Sequence, residues 1–340
     1  MTPLRQISSA NAGLPAGSYI YKIISTASRQ DPLTYSLTEQ LACISSDDSL
    51  RFHSADLQPD GVIANANENI TCLERANDAP SNVVATAGRD GLIRFWDKRS
   101  KQKVLEIQSP HKLVSALVCD AEKNFVAAGI ENPEDGPTSS PVYICTDGLI
   151  NIFDTSQADE DDALYQVVNH GSAIAHAGFM YPGTDIYAIG TDETVSFFAL
   201  QSQKEEEEEP TPKVWGDVRE GLGCEYVVDL AWVGQQACIA AGKHSENLLN
   251  LIPIDKGTNG HLDYSFDLDK SISFPGAHSE EIVRDLFTDT HTNTTYTCGE
   301  DGHIRAWKPS EESTMDVDEG VGSTKKRRND KKEKARFKPY

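Results

Sequence analysis

Short runs of alternating apolar and polar residues recur along the chain, each opened by a turn. They are DDSLRFHS at 47–54, RDGLIRFWD at 89–97, TDGLINIFD at 146–154, TDETVSFFA at 191–199, SENLLNLIP at 245–253 and EDGHIRAWK at 300–308. A period of two places alternate side chains on one face, so these runs predict half-buried β-strands. The Asp-Gly pairs at the head of three of them supply the positive φ that a tight hairpin turn needs. Before each run lies a second apolar stretch: LACISS, NVVATAG, NFVAAG, DIYAIG, ACIAAG and TTYTCG. Before that lies a third: SYIYKIIS, NITCLE, LVSALV, SAIAHAGF, YVVDLAW and EIVRDLF. A weaker fourth strand follows in some units, as in KVLEIQ at 103–108 and ALYQVV at 163–168. No helical periodicity of three turns or more stands out.

Four short strands per unit of about 40–45 residues are the signature of propeller blades. The third strands lie about 43–57 residues apart, and the wider spacings hold insertions. Two of these are ENPEDGPTSSP at 131–141 and the acidic loop QSQKEEEEEPTP at 201–212. The expected fold is all-β, a propeller with six readable blades.

The last unit carries a more specific set. His278 precedes a strand, Thr297 lies on the second strand, Asp301 in the turn and Trp307 at the end of the third. This set resembles the WD-repeat tetrad, a buried hydrogen-bond network in which Asp bonds His, and His bonds Ser or Thr and the Trp indole. Thr86, Asp90 and Trp96 repeat it at the same offsets without a His, and the fourth unit has His170 and Asp192 with Phe198 in place of Trp. Units one and five are degenerate. Residues 20–308 thus resemble the WD-repeat β-propeller superfamily. Longer phrases, SYIYKI, SSDDSLRFHS, WGDVREGLGCEYVVDL and GAHSEEIVRDLF among them, resemble the WD repeat-containing protein 89 group. That resemblance implies seven blades, one more than can be read. The discrepancy sits at PVYICTDGLINIFD, where PVYI begins like a third strand yet runs straight into the turn before another. Two readings stand: a six-bladed ring with one long loop, or a blade-length segment missing near Ile144–Cys145. The resemblance also implies that an N-terminal strand, here Leu4–Ser8, closes the last blade, since an open edge invites aggregation.

Charge changes the picture of function. The chain has 340 residues and a net charge of −22. Lys325–Tyr340 alone carries nine basic and two acidic residues, which leaves −29 on the rest. The expected organisation is a propeller at 1–309, an acidic linker at 310–324 and a basic disordered tail at 325–340. An acidic body argues against general nucleic-acid binding, which needs Lys and Arg at the phosphates. The tail leaves RNA contact open and suits importin recognition through Lys325, Lys326, Arg327 and Arg328. No apolar run reaches the length of a membrane span, and the N-terminus has no signal-peptide core. The seven cysteines form no C-x-x-C pair, so they read as reduced, buried thiols of an intracellular protein rather than metal ligands.

His278, Thr297 and Asp301 are the residue types of a nucleophilic triad, but the tetrad explains them, and no G-x-S-x-G, P-loop or metal spacing occurs. No catalytic, cofactor or metal site is expected, and the chain reads as a non-enzyme. The expected function is a monomeric protein-interaction scaffold, an assembly factor or chaperone in ribosome biogenesis that holds a basic ribosomal protein in the nucleus or nucleolus. The alternative is a substrate receptor of a cullin–RING ubiquitin ligase, from the W-D-x-R box at Trp96–Arg99. Partners of propellers bind the loops beside the turns, which nominates Arg89, Thr146, Thr191, Arg284 and Glu300, with Arg99 for the ligase reading.

Overall fold

In the computed structural model, the described residues are 2–310, apart from 32, 79, 110–112, 122–124, 131–147, 154–163, 202–209 and 259. Unit one is a four-stranded antiparallel sheet of Ile20–Ser25, Gln40–Ser45, Ser49–Ser54 and Pro59–Ile63, in chain order. Unit two repeats it with Ile70–Arg75, Val83–Gly88, Leu92–Asp97 and Gln102–Gln108. Unit four does so with Ile174–Phe179, Ile186–Gly190, Thr194–Phe198 and Lys213–Asp217. In unit five, Leu248–Lys256 pairs on its outer edge with two short pieces, Tyr264–Phe266 and Ile272–Pro275.

Among the described residues, unit six has three strands of its own, Val283–Asp289, Thr294–Gly299 and His303–Pro309. The fourth is Thr2–Asn11, antiparallel to His303–Pro309 in a register running from Leu4 opposite Pro309 to Asn11 opposite His303. Leu4 is its buried anchor and packs in one cluster with Phe274 and Trp307. Thr2 and Pro3 also pair in parallel with Ile272 and Ser273, which joins units five and six into one sheet. The expected closing strand therefore forms, longer than Leu4–Ser8, and it occupies an edge that His303–Pro309 would otherwise expose.

Unit three is the exception. Val114–Asp120 pairs with Phe125–Ile130, and Leu149–Phe153 pairs with Leu164–Asn169, but no ladder joins the two hairpins among the described residues. The ladder irregularities identify them. The innermost strands shift register within two residues of their start, at Ile20/Lys22, Ile70/Cys72, Ile174/His176, Val227/Asp229 (in Tyr226–Val233 of unit five) and Val283/Asp285. Val114/Ala116 shows the same shift, so 114–130 is an inner half-blade. Leu149–Asn169 carries its shift at Ile152/Phe153, as the outer pair of unit two does at Phe95/Trp96, so it is an outer half-blade. Each half packs on a different neighbour. Val114, Leu117 and Cys119 join the core of unit two, and Ile150 and Val168 join that of unit four. Among the described residues six third strands stand, as the sequence pattern indicates. The segment around Ile144–Cys145 lies outside the described residues.

The cores lie between adjacent blades, where alternation turns apolar side chains face to face. Phe52, Phe197, Phe274 and Trp307 are fully buried there. Burying each such ring contributes on the order of 2 kcal/mol. Among the described residues, no helix is long and apolar enough to cross a membrane.

Candidate functional site

The tetrad residues of unit six form a directed chain of hydrogen bonds. The Trp307 indole donates to Thr297 Oγ1 at 3.0 Å. Thr297 Oγ1 lies 2.8 Å from His278 Nε2, and His278 Nδ1 lies 2.7 Å from Asp301 Oδ1. An indole N–H can only donate, so Thr297 receives it and passes its own proton to Nε2. The remaining ring proton sits on Nδ1 and is donated to the carboxylate. Burial pushes the His278 pKa below its ordinary value, against the pull of Asp301, which keeps the ring neutral as this direction requires.

Unit two builds the same chain without a histidine. Trp96 donates to Thr86 Oγ1 at 2.8 Å, Thr86 donates to Asn67 Oδ1 at 2.6 Å, and Asn67 Nδ2 donates to Asp90 Oδ1 at 3.1 Å. The amide oxygen stands in for Nε2 and the amide N–H for Nδ1–H. Sequence reasoning missed Asn67, although a signal existed. Asn67 precedes Thr86 by 19 residues and Asp90 by 23, the intervals that separate His278 from Thr297 and Asp301. The loop holding each relay lies so close to the end of the second strand that only glycine fits. A Cβ on Gly299 would come within 2.8 Å of His278 Nδ1, and one on Gly88 within 2.7 Å of the Glu68 carbonyl oxygen.

A further pattern went unread: an arginine four residues after the turn aspartate. Arg51, Arg94 and Arg305 pair with Asp47, Asp90 and Asp301 at 2.9, 2.7 and 2.6 Å, all largely sheltered from solvent. Unit one, degenerate by sequence, rests on this pair, with Ser45 and Ser49 also donating to Asp47. Unit four departs from the tetrad expectation. His170 bonds Thr194 at 2.9 Å, while Asp192 accepts from Ser172 and Thr194. The cause is local. Ala188, opposite Ser196, occupies the register position of Thr86 and Thr297, and it has no hydroxyl to relay.

These networks are structural. Thr86 and Thr297 are both fully buried, so neither offers an accessible nucleophile.

The surface candidates divide between the two ends of the strands. Arg89, Thr191 and Glu300 follow the second strands of their units, and Arg284 opens the inner strand of unit six at that same end. Arg89 and Thr191 are exposed. Arg284 and Glu300 bind one another through Nε at 2.8 Å, with the guanidinium 5.6 Å from the Tyr19 ring. Arg99 lies at the other end of its strand, its side chain 69% exposed and paired with Asp97 at 3.2 Å. Within the W-D-x-R box, Trp96 belongs to the relay and Asp97 caps the turn by accepting from the Arg99 and Ser100 amides. Thr146 and Lys325, Lys326, Arg327 and Arg328 lie outside the described residues.

The end that carries the relays is acidic. Each of its five described turns between second and third strands holds at least one carboxylate: Asp47, Asp90, Asp192, Glu246 and Asp301. Glu68 and Glu281 are exposed on the neighbouring connections. The arginines nearest these turns are already engaged with carboxylates of the same face.

Comparison with known proteins agrees with this architecture. The WD domain, G-beta repeat family matches residues 59–97. A WD repeat-containing protein of Saccharomyces cerevisiae is 37% identical over 54% of this chain and 44% of its own length. The WD repeat-containing protein 89 homolog of Dictyostelium discoideum is 25% identical over 58% of this chain and 54% of its own. The chain thus spans about half the length of these relatives. The crystal structure of the β-propeller domain of Myceliophteria thermophila Cps50 (Swd1) superposes with a TM-score of 0.58 at 12% identity, covering 91% of this chain and all of that one.

Proposed function

We propose that this chain, a WD-repeat protein of β-propeller fold that resembles the WD repeat-containing protein 89 group, is a non-enzymatic protein-interaction scaffold whose acidic face holds a basic partner. On this reading it is a nuclear or nucleolar assembly factor that escorts a basic ribosomal protein. The observation that carries the reading is the relay-bearing face, where Glu68, Asp192, Glu246 and Glu281 are exposed and the nearby arginines are already paired. A surface of one sign steers and selects a partner of the other. The basic tail, with Lys325–Arg328 at its head, serves import.

The face makes the proposal testable. Glu68, Glu246 and Glu281 are exposed and lie outside the relays. A triple exchange to Lys reverses three charges on that face and leaves the core untouched. It is expected to release the basic partner in pull-down from nuclear extract without changing the melting temperature. Exchanging Asp56, Asp60 and Asp269 at the opposite end is expected to leave partner recovery intact. Equal recovery with both triple variants would count against the acidic face. Recovery of cullin adaptors that is lost on Arg99→Ala would replace this reading with the ubiquitin-ligase one.

A further inference from the structure

The inner strands of units one, two, five and six enclose a cavity of about 260 Å³ in the central channel. Its walls include Lys22, Glu74, Tyr187, Asp229, Trp232 and Asp285, with the exposed Arg29 on the rim. A count of charges alone points to a cation site, because three carboxylates stand there. The hydrogen-bond inventory points the other way.

The carboxylates are already supplied with donors. Asp285 accepts the Ile23 and Leu286 amides at 2.8 and 2.7 Å. Asp229 accepts the Leu230 amide at 2.6 Å and faces His176 Nδ1 at 3.4 Å. Glu74 accepts the Arg75 amide at 3.0 Å. Two of the donors, in contrast, lack acceptors. The Lys22 ammonium has three N–H groups and no hydrogen bond or ion pair among the described residues. The buried Trp232 indole N–H has none either. Burial pulls the Lys22 pKa down, but Glu74, Asp285 and Asp229 outweigh it and raise it, so the amine stays charged. The Tyr187 hydroxyl is kept protonated by burial. A charged or polar group away from bulk water with no partner costs free energy that a ligand can restore.

The geometry points to a binding site for a compact oxyanion, a carboxylate or a phosphate, held by Lys22 with Trp232 and Tyr187 as neutral donors and Arg29 at the entrance. The cavity is smaller than the roughly 300–1,000 Å³ of drug-sized sites, which restricts the ligand to a small anion or one acidic side chain of a partner. The charged and titratable groups lining the site are Lys22, Arg29, Glu74, Arg75, Tyr187, Asp229 and Asp285, with His176 behind Asp229. Asp285 is pushed up to about 6 by burial. Below that pH it loses its negative charge. For an anion whose own charge is constant, affinity therefore rises as pH falls from 7.5 to 5.5.

The test is isothermal titration of the full chain with inorganic phosphate, with glutarate, and with a capped peptide holding a single Glu. Saturable one-to-one binding of any of them, weakened about tenfold or more by Lys22→Met, supports the site. Binding of the small anions identifies a free ligand, and binding of the peptide alone identifies a partner's carboxylate. Trp232→Phe removes one donor and keeps the ring. It is expected to weaken binding severalfold, and it carries the test if Lys22→Met fails to fold. No saturable binding of any probe, or binding that neither variant weakens, would overturn the assignment.

Discussion

His278 offers a sharp test of the relay, because unit two shows what can replace it. In His278→Ala, Thr297 loses its acceptor and Asp301 loses a donor. A buried neutral hydrogen bond contributes about 1 kcal/mol and one to a charged group about 1.5–3, so the loss is about 2.5–4 kcal/mol. For a body of this size that lowers the melting temperature by about 5–16 °C. His278→Asn keeps both bonds in the arrangement seen at Asn67. The backbone permits it, since His278 has φ of 52°, a left-handed conformation that Asn tolerates better than most residues. The Asn variant should therefore lose only about 1 kcal/mol, mainly from the smaller side chain. The two variants also separate by pH. The pKa of His278 is depressed in the folded state, so the unfolded chain takes up a proton first as pH falls below about 6.5. Wild-type stability on this account drops through that window, at no more than about 1.4 kcal/mol per pH unit, and the Asn variant lacks this contribution. Asp285 acts with opposite sign. Its raised pKa makes the folded state bind the extra proton between about 3.9 and 6, but it is common to both proteins and cancels in the difference. Urea denaturation of wild type, Ala and Asn variants at pH 7.5 and 5.5 measures all of this. An Asn variant as unstable as the Ala variant, or a wild-type–Asn difference that does not shrink at pH 5.5, would refute the relay.

Three further outcomes follow from the packing. Deleting residues 1–10 removes the outer strand of unit six and the Leu4 anchor, so the melting temperature should fall and the protein should aggregate at lower concentration, as light scattering would show. Asp185 is buried and accepts from Tyr264 at 2.6 Å, His261 at 2.9 Å and Lys256 at 2.5 Å, tying unit four to unit five; Asp185→Ala should cost about 1–3 kcal/mol in urea denaturation. Gly242→Ala places a Cβ into the Tyr226 ring, whose hydroxyl accepts the Val283 amide across to unit six at 2.9 Å; a loss of about 1–3 kcal/mol is expected, and Tyr226→Ala in the same chain should remove that penalty.

The repeat was legible because a strand's period of two and its turn chemistry are local. DGLIRFW and DGHIRAW announce the turn, the third strand and the buried Trp before any packing is known. The N-terminal strand could be placed only because the last unit lacked a fourth one, and its true extent, Thr2–Asn11, depends on pairing with residues nearly 300 positions away. Asn67 escaped because a tetrad was sought by residue name; the chemistry needs one acceptor and one donor at fixed intervals, and an amide supplies both. The Asp–Arg pairs at 47/51, 90/94 and 301/305 escaped for a different reason, since strand residues four apart meet only where the turn folds one back over the other. The channel residues could not be found at all. Lys22, Asp229 and Asp285 sit on the inner strands of three units far apart in the chain and converge only when the ring closes.

The most direct measurement is affinity purification of the tagged full chain from nuclear extract, with mass spectrometry of what is retained at low and at high salt. The acidic scaffold predicts strongly basic ribosomal proteins that are retained near physiological ionic strength and released as added salt shortens the screening length from about 8 Å toward 3 Å. Partners held equally at both salt concentrations, or a set of cullin adaptors that disappears with Arg99→Ala, would contradict it.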